Sequence, residues 1–139
     1  MKQLIAQVGT LAALLSLGMS IAIGAEPDAK LQAKVVGQWT ETRKFDKCEE
    51  HQQRMAIRAD GTFEVTGLAT DCDAKTQYTW RGTWQVTGGK FRYTTTYSEP
   101  QDFMPLGKTL EDTIISVSDD QWVMVEQSTG NKSIARKVK

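Results

Sequence analysis

The stretch YTWRGTWQVTGGKFRYTTTY, residues 78–97, decides the fold that this sequence predicts. Its odd-numbered positions up to residue 87 are polar, and its even-numbered ones are aromatic or small and apolar, namely Tyr78, Trp80, Gly82, Trp84 and Val86. A period of two is typical of a strand with one buried and one solvated face. Two adjacent glycines, Gly88 and Gly89, then permit the positive φ angles that a two-residue hairpin requires. The return strand carries Phe91, Tyr93 and Tyr97 on one side, so the stretch predicts an aromatic β-hairpin.

The rest of the chain continues as short strands separated by turns. A helical turn over residues 26–34 is predicted to precede strands at residues 35–43, 51–59, 62–66, 109–117, 121–127 and 132–138. Asp60-Gly61 is a hairpin signal, and Gly82 marks a bend or bulge within its strand. We therefore expect an all-β fold, an antiparallel up-and-down barrel of eight strands, because closure removes exposed sheet edges. A β-sandwich is the alternative.

The interior of such a barrel would be lined by large apolar residues. Eight strands leave room only for side chains or for one small ligand. A packed interior is favoured over an open cup on this ground, and both interpretations stay open. The residues predicted to face inwards are Trp39, Met55, Ile57, Phe63, Tyr78, Trp80, Trp84, Phe91, Tyr93, Ile115 and Trp122.

Residues 98–108, SEPQDFMPLGK, form the longest break between predicted strands. Pro100 and Pro105 argue against regular strand pairing there. Phe103, Met104 and Leu106 are more apolar than a purely solvated loop requires. The loop is therefore expected to cover the barrel mouth as a lid, to contact a partner, or to plug one end of the barrel.

The first 25 residues are predicted to be a secretory signal peptide, followed by one domain over residues 26–139. Lys2 provides a positive start, and residues 11–23 are mostly apolar and too few for a lasting membrane span. Cleavage is expected after Ala25, with Ala22 as the alternative site, and an uncleaved anchor is the competing interpretation. The expected location is therefore the periplasm or the cell exterior.

Cys48 and Cys72 are the only cysteines in the sequence. An even pair in an exported chain predicts a disulfide. The alternative is a metal site formed by Cys48, His51 and Cys72, because two thiolates and an imidazole could hold zinc or copper. Cys-x-x-His with one distant cysteine is a weak metal pattern, and oxidising surroundings favour the disulfide.

Composition argues against nucleic acid as a partner and against catalysis. The formal net charge is +0, and the only charged residue of the leader is Lys2, whereas a nucleic-acid site needs a basic face. The sequence has one histidine and no nucleophile or phosphate-loop motif. The paired aspartates Asp71/Asp73 and Asp119/Asp120 lie in turn-like stretches, where aspartate bonds the backbone. We expect no enzyme activity, no cofactor and no metal.

Gly37-Gln38-Trp39 forms a G-x-W motif on the first strand, after a short helical turn. With this motif the layout resembles the lipocalin-like proteins of the calycin type, whose signature it matches. Residues 58–63 (RADGTF) and 82–90 (GTWQVTGGK) are similar to stretches of small bacterial lipocalin-like proteins. The resemblance implies that an arginine of the last strand, here Arg136, lies across Trp39, which would contribute about 0.5–2 kcal/mol.

The combination of Gly37-Gln38-Trp39 with the pair Cys48 and Cys72 carries a second resemblance. It is similar to periplasmic inhibitors of serralysin-type metalloproteases, which are also small eight-stranded barrels with a Gly-Gln-Trp start and one disulfide. In that family the N-terminal arm enters the protease cleft and approaches its zinc. The expected mature start here, Glu26-Pro27-Asp28, departs from the Ser-rich terminus of that family.

Together these observations predict an exported barrel that acts by binding. The first hypothesis is a small apolar ligand in the barrel or at its mouth. The alternative is a protein-binding inhibitor or immunity-type factor that uses the N-terminal arm or a loop. The candidate ligand-binding residues are Tyr78, Trp80, Trp84, Tyr93, Phe103 and Met104.

Overall fold

The computed structural model describes residues 26–139, which form one helix and eight strands. The predicted signal peptide, residues 1–25, lies outside the described residues. In the described part, the helix is too short to cross a membrane. In chain order the elements are α1 Asp28–Val35, β1 Gly37–Lys44, β2 Glu49–Ile57, β3 Thr62–Asp71, β4 Ala74–Thr87, β5 Lys90–Glu99, β6 Thr109–Val117, β7 Gln121–Glu126 and β8 Lys132–Lys137.

The eight strands are antiparallel and close into a barrel in chain order. Closure depends on β1, which pairs with β2 along its whole length and with β8 through Trp39, Thr40 and Glu41. Just beyond this short pairing, the N–H of Val138 donates a hydrogen bond to the carbonyl of Gln38 at 2.8 Å. The predicted up-and-down barrel is confirmed, and the sandwich alternative is wrong.

Glycines with positive φ angles form the two hairpins that the sequence predicts. Gly88 and Gly89, at φ 61° and 71°, connect β4 to β5, and Gly61, at φ 86°, lies in the turn between β2 and β3. In the latter turn the carboxylate of Asp60 accepts a hydrogen bond from the N–H of Thr62 at 2.9 Å. Such a bond between aspartate and the nearby backbone is a common way to stabilise a turn.

Two β-bulges change which side chains face inwards. The register between β4 and β5 shifts at Gly82, which confirms the predicted bulge, and Tyr97 consequently points outwards with 40% exposure. Ile115 is the unpaired residue of the second bulge, between Ile114, which pairs with Met124, and Ser116; Ile115 is 58% exposed, whereas Ile114 is buried. A bulge adds one unpaired residue to a strand and so reverses the faces of the residues that follow. The face that Tyr97 was predicted to share with Phe91 and Tyr93 is therefore wrong, and so is the inward position predicted for Ile115.

We predict that Gly82→Ala lowers the free energy of unfolding by about 3 kcal/mol. A Cβ atom at residue 82 would overlap with the backbone carbonyl of Thr94 on β5, and backbone cannot move aside as a side chain can. Gly89→Ala is the matched control, because no atom lies within 4 Å of a Cβ placed there. Its positive φ costs about 1–2 kcal/mol. Urea denaturation measures both losses, and equal losses would contradict the proposed overlap.

The helix α1 closes one end of the barrel. Leu31 and Val35, one helical turn apart, lie on the same helix face and are both buried. At the start of the helix, the carboxylate of Asp28 accepts hydrogen bonds from the N–H groups of Gly88 and Gly89, at 2.8 and 2.9 Å. The helical turn predicted over residues 26–34 is confirmed, and this helix covers one end of the barrel.

Aromatic side chains fill the interior next to α1. Trp39 and Trp122 meet edge to face with ring centroids 5.7 Å apart, and Phe91 meets Trp122 at 4.9 Å. The indole N–H of Trp39 donates to the carbonyl of Val35 at 2.8 Å, which ties the helix to the barrel. At this end the expectation of a packed interior is correct.

The cation that covers Trp39 is Lys137 and not Arg136. Lys137 pairs with Trp39 across the β1–β8 contact, and its Nζ lies 5.2 Å from the indole centroid. Arg136 pairs instead with Thr40 and is exposed, because neighbouring residues of a strand point to opposite faces. The role predicted for Arg136 is wrong, although a cation–π contact on Trp39 is present.

Cys48 and Cys72 form the predicted disulfide. It joins the loop after β1 to the turn after β3, at the end of the barrel opposite α1. A bridge between residues 24 positions apart contributes about 3 kcal/mol, chiefly by restricting the unfolded chain. The metal site with Cys48, His51 and Cys72 is therefore wrong, because neither cysteine has a free thiolate to offer.

Candidate functional site

A cavity of about 820 Å³ occupies the part of the barrel that α1 and its aromatic neighbours leave unfilled, and it opens to solvent at the opposite end. We name it the cup. The open-cup alternative therefore holds for this end, because the bulkiest side chains are concentrated at the other. The buried apolar residues that line the cup are Met55, Ile57, Phe63, Val65, Trp80, Phe91, Trp122 and Met124.

The loop between β5 and β6 forms one side of the cup's mouth. Phe103 stacks on Tyr78 with ring centroids 4.1 Å apart, and both Phe103 and Met104 line the cup. The N–H of Met104 donates to the hydroxyl oxygen of Ser98 at 3.2 Å, which holds the loop against β5. Leu106, by contrast, is 48% exposed. The loop narrows the mouth without plugging the barrel.

The structure brings together four of the six predicted ligand-binding residues, because Trp80, Tyr93, Phe103 and Met104 all line the cup. Tyr78 lies behind Phe103, and its hydroxyl donates to Gln53 at 2.9 Å. Tyr78 is therefore not among the residues that line the cup.

Trp84 is also outside the cup. It stacks on Phe91 at the closed end with ring centroids 5.6 Å apart. Its indole N–H donates to the carbonyls of Arg58 and Thr62 at 2.9 and 3.0 Å. These contacts give Trp84 a place in the core at the turn between β2 and β3, away from any ligand in the cup.

Four charged side chains that sequence reasoning missed lie together on the inner face of the barrel. Arg43 Nε donates to Glu41 Oε1 at 2.8 Å, Nη1 contacts the carboxylate of Glu126, and Nη2 lies 4.0 Å from Asp112 Oδ2. Gln53 Nε2 donates to the second oxygen of Glu41 at 2.8 Å. We name Glu41, Arg43, Asp112 and Glu126 the charged cluster. It holds three carboxylates around one guanidinium.

Burial and neighbouring charges shift the pKa values of two members of the charged cluster, Arg43 and Asp112. Glu41 and Asp112 are 4% and 5% exposed. Burial by itself would lower the pKa of Arg43, but the neighbouring carboxylates of Glu41 and Asp112 outweigh it and raise that pKa. Burial raises the pKa of the Asp112 carboxyl to about 6, an effect that Arg43 opposes and Glu41 reinforces. Burial also raises the pKa of Tyr93, with a further contribution from Asp112.

The alternation of inward and outward side chains along a strand is the sequence signal that locates most of this cluster. Counting in steps of two from the buried Trp39 places Glu41 and Arg43 on the inner face of β1. The same count from Trp122 places Glu126 on the inner face of β7. The sequence contains no comparable signal that these strands bring the three side chains within contact of each other.

We predict that Asp112→Asn raises the free energy of unfolding by about 1–3 kcal/mol near neutral pH. The folded-state pKa of Asp112, about 6, lies above the ordinary aspartate value of 3.8. The folded protein therefore binds this proton more tightly, and the group's contribution to stability falls as pH rises from about 4 to about 6. Urea denaturation at several pH values should show a flatter stability profile for the variant. An unchanged profile with lower stability would contradict the effect of burial on Asp112.

Eight strands in up-and-down order around an open cup define a lipocalin-like barrel. An eight-stranded barrel of this kind has room for side chains or for one small ligand. The chain is similar to a solved structure described as a lipocalin-like protein from Bacteroides uniformis ATCC 8492, with 18% identity, a TM-score of 0.49, and coverage of 76% of this chain and 99% of that chain. No protein-family model matches the chain, and no curated protein matches it.

Proposed function

We propose that this chain is an exported binding protein that takes a small apolar ligand into the cup and catalyses no reaction. The observation that carries the proposal is the cup itself, a cavity of about 820 Å³ with one closed and one open end. Ligand pockets commonly have volumes of about 300–1,000 Å³. A cavity of this size is large enough to enclose most of the surface of a small molecule.

The wall of the cup is suited to apolar and aromatic ligands. Trp80, Phe63 and Tyr93 form a triangle of neighbouring rings, with centroid distances of 5.2, 5.7 and 6.0 Å, and Phe91 lies 5.7 Å from Tyr93. A ligand that covers these rings would gain about 25 cal/mol for each Å² of apolar surface removed from water. Among the described residues no partner bonds the Tyr93 hydroxyl, which is therefore available to orient a polar group of the ligand.

The alternative of a protease inhibitor has less support. That mechanism needs a free N-terminal arm, whereas residues 28–35 form α1 and are held on the barrel by Asp28 and by the buried Leu31 and Val35. Only the residues before Asp28 would be available to enter a protease. Deletion of α1 would therefore open the closed end of the barrel as well as shorten the arm.

Export is supported by the apolar leader and by the disulfide between Cys48 and Cys72, since such bonds persist in oxidising compartments. We predict that the protein recovered from its native host begins at Glu26, after cleavage at Ala25. Intact-mass spectrometry of the purified protein, with and without thiol alkylation, measures both the start and the disulfide. A chain that retains residues 1–25 and alkylates at both cysteines would contradict export.

We predict that the neutral fluorescent probe N-phenylnaphthylamine binds in the cup with one molecule per chain. Ala69→Phe, at the mouth, should weaken this binding about tenfold or more, because the larger side chain occupies ligand space. Ala56→Phe on the neighbouring strand is the matched control, since residue 56 points outwards between the buried Met55 and Ile57. Fluorescence titration measures both affinities. Equal affinities for the two variants, or no binding by the unmodified chain, would contradict the proposed function.

Tryptophan fluorescence locates the probe within the barrel. Trp80 lines the cup and Trp84 does not, although both are buried residues of β4. Quenching by the bound probe should therefore decrease in Trp80→Phe and persist in Trp84→Phe. The opposite result would place the ligand at the closed end.

A further inference from the structure

The charged cluster contains a carboxylate that the protein itself does not satisfy. Asp112 is 5% exposed and lines the cup, yet among residues 26–139 no donor makes a hydrogen bond to its carboxylate. Its nearest cation, Arg43 Nη2, lies 4.0 Å away. Burial of a carboxylate that receives no hydrogen bond lowers the stability of the fold. The site is therefore suited to a ligand that carries a hydrogen-bond donor.

Arg43 cannot be the anchor for an acidic ligand. Its guanidinium already contacts Glu41 and Glu126 and lies near Asp112. With all three carboxylates ionised, the charged cluster has a net charge of −2. Asp112 and Glu126 also face each other directly across the β6–β7 pair, an arrangement that like charges destabilise. An anionic ligand would add a further negative charge, whereas a cationic ligand would relieve the excess.

The geometry distinguishes an organic cation from a metal ion. In the part of the chain that the structure describes, no group of three or more His, Cys, Asp and Glu side chains is arranged to hold a metal. The cup is instead large, at about 820 Å³, and its wall carries the rings of Trp80, Phe91 and Tyr93. Aromatic faces attract ammonium groups, and the same wall accommodates an apolar body.

We infer that the preferred ligand of the cup is an amphipathic cation, a protonated amine on an apolar body, with its ammonium group on Asp112 and Glu126. The inference rests on the proposed function, because it assumes that the cup binds ligands. Ammonium N–H groups would donate to the Asp112 carboxylate, and the apolar body would cover the aromatic wall. Charge-assisted hydrogen bonds of this kind are the stronger ones in proteins.

Competition with bound N-phenylnaphthylamine by decylamine, decanol and decanoate tests the inference, because these molecules share one chain and differ in head-group charge. Decylamine should bind at least about tenfold more tightly than decanol, and decanoate should bind most weakly of the three ligands. Asp112→Asn should weaken decylamine about tenfold and change decanol less than about twofold. Asp119→Asn is the matched control: it removes the same charge from an exposed turn between β6 and β7, and should leave the affinities of decylamine and decanol unchanged.

The outcomes separate the two proposals. If decanol binds and decylamine binds no more tightly, or if Asp112→Asn affects decylamine and decanol alike, the inference is wrong and the proposed function stands. If decanol, decylamine and the fluorescent probe all fail to bind, the proposed function is wrong and the inference fails with it.

A pH series on the unmodified chain provides a second test that needs no variant. Decylamine stays protonated between about pH 7.5 and pH 5, while the Asp112 carboxyl, with a pKa of about 6, becomes neutral. The affinity for decylamine should fall about threefold or more over this range, and the affinity for decanol should stay constant. An affinity for decylamine that is constant or rises would overturn the inference. Besides Asp112, the charged and titratable groups that line the cup are Arg43 on β1, Glu49 and His51 on β2, Tyr93 on β5, Lys108 before β6, Glu111 on β6 and Glu126 on β7; Glu41 on β1 contacts Arg43.

Discussion

The pairing of β1 with β8 is the interaction on which the rest of the structure depends. It involves only Trp39, Thr40 and Glu41 of β1, yet it converts a row of eight strands into a closed surface with an inside. Closure allows the backbone N–H and C=O groups of both edge strands to form hydrogen bonds, and it places alternate side chains of β1 in the interior. Trp39 then lies at the packed end, and Glu41 and Arg43 lie towards the open one. The same strand therefore closes the barrel and supplies part of the site.

The two ends of the barrel interior have different physical roles. At the end that α1 covers, Trp39, Phe91 and Trp122 pack against each other and stabilise the fold. At the open end the wall includes a charged cluster whose burial is unfavourable for stability. Side chains that lower stability and face a cavity are typical of functional sites. This contrast is the physical reason to propose ligand binding at the open end of the barrel.

Local patterns predicted the barrel and part of the cup, but they could not predict long-range registers. Alternation in residues 78–97, the glycine turns and the cysteine pair were sufficient for the strands, hairpins and disulfide. Simple alternation misplaces both Ile115 and Tyr97, because Ile115 is the unpaired residue of one bulge and Tyr97 follows the unpaired residue of the other, which reverses the inward pattern. The Arg43 contacts join β1 to β6 and β7, far apart in the chain, so no local pattern encodes them. Lys137 takes the place predicted for Arg136 because strand alternation determines which neighbour reaches Trp39.

Methyl NMR of the methionines tests the central claim, an open cup that binds a ligand, most directly. Met55, Met104 and Met124 all line the cup, on β2, the mouth loop and β7. In a sample labelled with carbon-13 at the methionine methyls, titration with an apolar amphiphile should shift all three signals with one common dissociation constant. A titration that shifts none of them, or only Met104 at the rim, would show that no ligand enters the barrel and would contradict the account.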